Sequence, residues 1–272
     1  MIDSRSPTRL RSPVVISVPH AGLEYPASRA NLGRLPRESF LRDVDYEIHL
    51  MWENAAKSFE LPFVRSRVHR YAIDLNRAED QYSRLSVEGA GEPGAEPQKT
   101  LFWYESTRGE KLLERPLKPE EARALLDAVW RPYRAWIERE LARAKRQFGF
   151  AILIDGHSMP SLGTGFHADP GRRRADIVPG DCHGRACARA ILEASREAAE
   201  ALGLSYRPND PYSGGGITQA FGRPAEGLHA LQIEANRGVY MNEATWELDR
   251  GGLAKLQAFA DALVSRLVGL RL

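Results

Sequence analysis

Short apolar runs, each closed by a polar or glycine-bearing turn, alternate along this chain with stretches whose apolar residues recur every three to four positions. The first run, Val14 to Val18 (VVISV), is mostly β-branched and predicts a buried strand. Pro19-His20-Ala21-Gly22 stops it and leaves His20 on a tight turn. Residues 149–154 are apolar and then turn polar at Asp155, Gly156, His157 and Ser158, as a central strand of an open α/β sheet does at its carboxyl end. Residues 62–68, 70–77 (RYAIDLNR) and 229–235 (HALQIEA) predict further strands, the second of them leading into a polar turn. Helical periodicity covers residues 39–59, with Leu41, Val44, Ile48, Met51 and Ala55 on one face and Asp43, Asp45 and Glu47 in the first turns, where carboxylates suit the helix dipole. A second helix opens at Pro119 and should kink or split at Pro132. A third runs from an Asp181 N-cap to about Leu202, with Gly203 as its stop. The last, from about Gly252 to Leu270, carries Leu256, Phe259, Leu263 and Leu267 on one face.

Between these elements lie two long irregular stretches. Residues 80–117 contain Gly89, Gly91, Pro93, Gly94 and Pro97, with TLFWY (100–104) as an apolar patch, and residues 159–181 contain Arg172, Arg173 and Arg174. Loops of that length are functional or mobile, and both are expected to shape a pocket. Residues 1–12 are polar and read as a loosely held arm. No repeat, low-complexity tract or linker interrupts the pattern. The expectation is one α/β domain over residues 1–272: a mixed, mostly parallel sheet between two helical layers.

Composition narrows the function classes. At 43% hydrophobic and 27% charged residues, a folded core is expected. A net charge of +2 implies no field for nucleic acid or anionic lipid, so neither is an expected partner. The triple-arginine run reads as a solvated loop or a rim attracting acids. No stretch has the length and apolarity of a membrane span, and MIDSRSPTRLRSP lacks the apolar core of a signal peptide. Cys182 and Cys187 make no metal or redox spacing and are expected as free thiols in a reducing cytoplasm. Monomer and homo-oligomer remain equally open.

Three groups of residues could carry chemistry. His20 and His157 each end a strand; parallel strands would bring those ends to one edge, where the crevice of an α/β sheet lies. With a carboxylate from the next helix, Asp45 by preference and Asp43 or Glu47 as competitors, they make the three-ligand set of a catalytic zinc. Taken singly, each is also an ordinary turn histidine or first-turn acid. Glu234 lies on the strand face opposite Leu231 and Ile233. Covered by helices, it would be a buried carboxylate fit to serve as a general base; on a wet face it would be a surface acid. Arg70, Asn76 and Arg77 suggest a grip on an acidic substrate, or else a turn made by Asp74 and Asn76 with surface arginines around it.

The ordered set VVISVPHAG, RYAIDLNR, LIDGHSM and GGGITQAFGRP…GLHALQIEANRGVYM, with ADIVPGDCHGRAC between the last two, resembles the N-formylglutamate amidohydrolase family over residues 14–241. That resemblance implies a zinc-carboxypeptidase-like (phosphorylase/hydrolase-like) fold, similar also to aspartoacylase. It implies one Zn²⁺ held by His20, Asp45 and His157. The carboxypeptidases take a glutamate three residues after the first histidine; here that position is Leu23, and RDVDYEI supplies Asp45 instead. The resemblance further implies Asn76 and Arg77 as contacts to a substrate carboxylate, Arg70 as the group polarising the scissile carbonyl, and Glu234 as general base. The expected reaction is hydrolysis of N-formyl-L-glutamate to formate and L-glutamate, within histidine catabolism. The competing expectations are a related zinc amidohydrolase or peptidase acting on another N-acyl amino acid, and a binding protein that kept the fold without the catalysis.

Overall fold

The computed structural model describes residues 1–92, 100–165, 167 and 169–272, and the chain packs as two compact units. Pro93, Gly94 and Pro97 of the first long loop lie outside the described residues. Six strands are hydrogen-bonded into one sheet: β1 (Ile2–Arg5), β2 (Val14–Val18), β3 (Phe63–Ser66), β4 (Ala151–Met159), β5 (Ile177–Gly180) and β6 (Leu228–Asn236), in the order β1-β3-β2-β4-β6-β5. The helices are α1 (Arg37–Leu41), α2 (His49–Ser58), α3 (Pro119–Leu125), α4 (Arg131–Phe148), α5 (Arg189–Ala201), α6 (Gly216–Phe221), α7 (Arg237–Tyr240) and α8 (Arg250–Val268).

The unit made of Ser4–Val18, Glu47–Val64 and Ile137–Leu272 contains the centre of the sheet. β2 runs parallel to β4, with Ser17 opposite Asp155, and β4 runs parallel to β6 from Ala151↔Leu228 to Met159↔Asn236. β5 pairs antiparallel on the far side of β6. The sheet is therefore mixed and mostly parallel. Every residue of β4 and β6 is buried, which requires cover on both faces. Neighbouring residues of β4 show what supplies it. A Cβ at Gly156 would overlap the indole of Trp52 in α2, while the carboxylate of Asp155, pointing the other way, accepts a hydrogen bond from Thr218 of α6. Helix α8 packs on α2 and α5 through the expected face, with Leu256, Phe259, Leu263 and Leu267 fully buried. Asp249 caps it by accepting from the Gly251 and Gly252 N–H groups.

Several elements differ from the sequence expectation, each for a local reason. β4 continues through His157 to Met159, because pairing with β6 continues that far. The 39–59 helix is two helices, since Glu47 takes a left-handed backbone (φ 59°) and the Asp45 N–H donates to the His20 carbonyl. Asp43, Asp45 and Glu47 thus lie in an irregular connection, not a first helical turn. RYAIDLNR is a series of turns and not a strand: the Asp74 carboxylate accepts from the Asn76 N–H, and the Arg77 N–H bonds to the Asp74 carbonyl. Asp181 caps no helix; its carboxylate accepts from Gly184 N and Asn209 Nδ2, and α5 begins at Arg189. Pro132, which has no N–H to continue the ladder, follows a π-helical turn over Leu126–Trp130, and the helix runs on through that turn without the expected split. Residues Ile2–Arg5 are an edge strand instead of part of a loose arm. Arg174 is buried, paired in a fork with Asp169, so it is no part of a solvated run.

The other unit comprises Met1–Asp3, Pro19–Tyr46 and Arg65–Trp136. Its core collects the apolar patch of the first long loop, Leu101, Phe102 and Trp103, with Tyr71 and Leu112. Arg29 is wholly buried there, donating to the carbonyls of Trp103 and Leu112, and burial pulls its guanidinium down to about 9. His69 is buried as the neutral ring. Its Nε2 bonds to the Phe40 carbonyl at 2.8 Å, and its Nδ1 accepts the Tyr71 N–H at 3.0 Å. A second proton would break that second bond, and burial pulls the imidazole down to about 4. The unfolded chain takes up this proton first as pH falls through the ordinary histidine range. The stability His69 provides is therefore complete above that range and is lost from about pH 6.5 toward pH 4. Urea unfolding should show a loss of about 2 kcal/mol between pH 7 and pH 5 from this residue. An equal loss in a His69→Gln protein would assign the effect to other groups. Among the described residues, no helix is long and apolar enough to cross a membrane.

Candidate metal centre and active site

His20 follows β2 by two residues, on a turn that needs Gly22: a Cβ there would collide with the backbone of Arg67. Its Nε2 lies 2.7 Å from Asp74 Oδ1, and its Nδ1 lies 3.6 Å from Asp45 Oδ2. A neutral imidazole that donates through Nε2 carries its lone pair on Nδ1, so Asp74 selects the tautomer that presents Nδ1 toward Asp45. Asp74 is wholly buried between apolar neighbours and gathers further donors: Arg70 Nη2 at 2.8 Å, Trp103 Nε1 at 3.1 Å and the Asn76 N–H at 3.0 Å. Burial opposes its charge, but Arg70, His20 and Arg77 outweigh burial and hold the carboxyl well below the usual carboxylate range. Arg70 is charged for the converse reason: burial disfavours the cation, and Asp74, Asp45 and Asp43 more than offset it. Its guanidinium also lies over the Trp103 ring and donates to the Asp43 carbonyl.

In the sheet-bearing unit, His157 and Glu234 are register partners on β4 and β6, so the two side chains stand side by side on one face. Both are buried, at 2% and 7% exposure. His157 Nε2 lies 3.1 Å from Asp155 Oδ2, and Asp155 is itself held by the hydroxyls of Ser17 and Thr218. Tyr212 is near Glu234; burial first, and then the Glu234 charge, push its phenol up. Arg174, spent on Asp169, lies under the Tyr212 ring with its Cζ 5.1 Å from the ring centroid.

His20 and Asp45, with Nδ1 and Oδ2 3.6 Å apart, offer two ligand atoms of the kinds that hold a metal ion, and His157 of the sheet-bearing unit offers a third. The competing acids are engaged elsewhere. Asp43 accepts from the Tyr71 hydroxyl and Thr107, and Glu47 lies 3.8 Å from His49. Asn76 and Arg77 occupy the turn that Asp74 organises. The Arg77 carbonyl is held by Trp130 and Arg134, and its partly exposed side chain has Nε 3.9 Å from Asp74 Oδ2.

The family model described as N-formylglutamate amidohydrolase matches residues 12–241. The chain belongs to the N-formylglutamate amidohydrolase family. It is 33% identical over 240 residues to the N-formylglutamate deformylase of Pseudomonas putida, covering 86% of this chain and 83% of that one. With the N-formylglutamate deformylase of Pseudomonas aeruginosa the figures are 35% over 253 residues, 91% and 89%. The crystal structure of N-formylglutamate amidohydrolase from Ralstonia eutropha JMP134 superposes with a TM-score of 0.83 at 27% identity, over 98% of this chain and 95% of that one. A gene product of Agrobacterium tumefaciens shares the fold, with a TM-score of 0.71 at 18% identity over 98% and 93%.

In this family member the donor set fits zinc on its own chemistry. Two imidazoles and one carboxylate are the ligand number and type of a catalytic zinc with an open position. The His20 imidazole also has the buried Asp74 carboxylate hydrogen-bonded at its Nε2, an arrangement that fixes ring orientation and raises ligand basicity. Sequence reasoning reads Asp74 as a turn former and gives Asp155 no role. One signal exists for Asp74: an acid inside the apolar string Tyr71-Ala72-Ile73-Asp74-Leu75, flanked by Arg70 and Arg77. Tyr212 and Arg174 carry no such signal.

Proposed function

We propose that this protein hydrolyses the amide bond of N-formyl-L-glutamate, giving formate and L-glutamate, with one zinc ion held by His20, Asp45 and His157. The observation that carries the reading is the side-by-side placement of a buried histidine and a buried glutamate, His157 and Glu234, in a chain of this family. Zinc bound to those three residues would supply a Lewis acid for the amide carbonyl and acidify water at its open position. Glu234 takes the proton of the water that attacks the formyl carbon and returns it to the departing nitrogen, so that one carboxylate acts first as base and then as acid. Arg70 polarises the carbonyl. A guanidinium has five N–H donors, and its bonds to Asp74 and to the Asp43 carbonyl use two of them. Asn76 and Arg77 hold a substrate carboxylate and turn binding energy into orientation.

Formate release from the zinc-loaded protein tests the substrate. N-formylglutamate is expected to exceed N-formylalanine and N-acetylglutamate by at least about 10²-fold in kcat/KM, because a site built around a charged group loses that contact when the group is missing. Equal rates across the panel would reject the assignment of the acidic substrate. Dialysis against a chelator should abolish turnover, and zinc should restore it.

A further inference from the structure

The hydrogen-bond chain behind Glu234 points to a positioning residue that the mechanism does not name. Gln232 lies two residues before Glu234 on β6, on the same face and 3% exposed. Its Oε1 accepts the Gly215 N–H at 2.6 Å, and its Nε2 donates to Glu234 Oε1 at 2.9 Å. The first bond dictates the second. A backbone N–H can face only the amide oxygen, so the NH₂ end must turn toward Glu234. The Gly215 N–H is itself a fixed post. The Cys182 N–H bonds to the Ser213 carbonyl at 2.6 Å, and a Cβ on Gly180 of β5 would collide with the backbone of Ser213 and Gly214. The glycine-rich segment ahead of α6 thereby packs directly against β5.

We infer that Gln232 is a positioning residue for Glu234, relaying the location of the Gly215 N–H to the carboxylate. This inference rests on Glu234 being the general base. An amide suits the place because it donates without titrating, so its hold on Oε1 does not change as the proton comes and goes on the carboxylate. The relay also explains why a long, unbranched side chain stands at 232. It must span from the loop to the carboxylate while lying flat along the strand.

Two variants divide the relay. Gln232→Glu keeps an acceptor for the Gly215 N–H and loses the donor to Glu234; Gln232→Met loses both. In the zinc-loaded enzyme with N-formylglutamate, kcat is expected to fall up to about 10²-fold in each, as a reacting group displaced by about 1 Å does. KM and zinc content of both variants should stay near those of the parent, while the second buried carboxyl of Gln232→Glu lowers its thermal midpoint. In a Glu234→Gln background, adding Gln232→Met should cost nothing further, since there is no base left to position. A parental kcat in either variant, or a fall in kcat accompanied by lost zinc or a raised KM, overturns the inference. Activity surviving in Glu234→Gln alone would remove the base assignment, and the inference with it. An inactive Glu234→Gln beside a fully active Gln232→Glu would remove only the role of Gln232.

Discussion

Replacing Glu234 by glutamine should lower kcat about 10²–10⁴-fold while the protein stays folded and binds its metal. The two side chains have the same shape, and the amide oxygen can still accept from Gln232 Nε2, so packing around β6 is preserved. What disappears is the capacity to take a proton from water and return it to the leaving nitrogen. KM should change little, because Glu234 is not assigned a substrate-binding role. Metal analysis alongside kinetics makes the test decisive: full zinc content with parental kcat would show that another group moves the proton. Loss of zinc would instead make Glu234 a ligand.

The second large effect is expected at Asp74. His20, Arg70, Trp103 and the Asn76 backbone all donate to this one buried carboxylate. Asp74→Ala leaves the buried Arg70 cation and the Trp103 N–H short of a partner, and breaking a buried pair in this way costs about 3–5 kcal/mol. Asp74→Asn keeps the volume and part of the hydrogen bonding. It should cost less stability yet still lower zinc affinity about 10–100-fold, because an amide oxygen is a poorer partner for the His20 Nε2–H. The pH dependence has a definite sign. The folded carboxyl is held well below its ordinary range by Arg70, His20 and Arg77, so its contribution is present above the unfolded carboxylate pKa and is lost only in more acidic solution. Chemical denaturation at pH 7 and zinc titration with a competing chelator check the two effects separately. If Asp74→Asn binds zinc as the parent does, the carboxylate at His20 serves the fold and not the metal.

The elements legible in the sequence share one property: their signal is local and strong. VVISV ends at a proline and a glycine, and the run into Asp155-Gly156-His157 reads as a central strand, so local pattern alone puts His20 just past one strand and His157 in the last third of another. The face of α8 follows from its period alone. The elements that local pattern misreads depend on partners remote in sequence. The helix over 39–59 has good periodicity, but it breaks at Glu47, and the Asp45 N–H is spent on the His20 carbonyl more than twenty residues away. RYAIDLNR has a strand's composition and folds as turns because the Asp74 side chain competes with the backbone for its own N–H groups. Arg174 looks like one of three solvated arginines until Asp169 is folded back onto it.

By itself, then, the sequence determined the alternation of strands and helices, the family, and which two strands the histidines belong to, since each of these is written in short-range pattern or in an ordered set of motifs. Tertiary structure alone decided that Glu234 stands beside His157, that Asp74 bonds to His20, and that Asp43 is held by Tyr71 and Thr107. The reason is physical. Those outcomes turn on register between strands and on hydrogen bonds that close over tens of residues, and no short window along a chain contains both ends of such a bond.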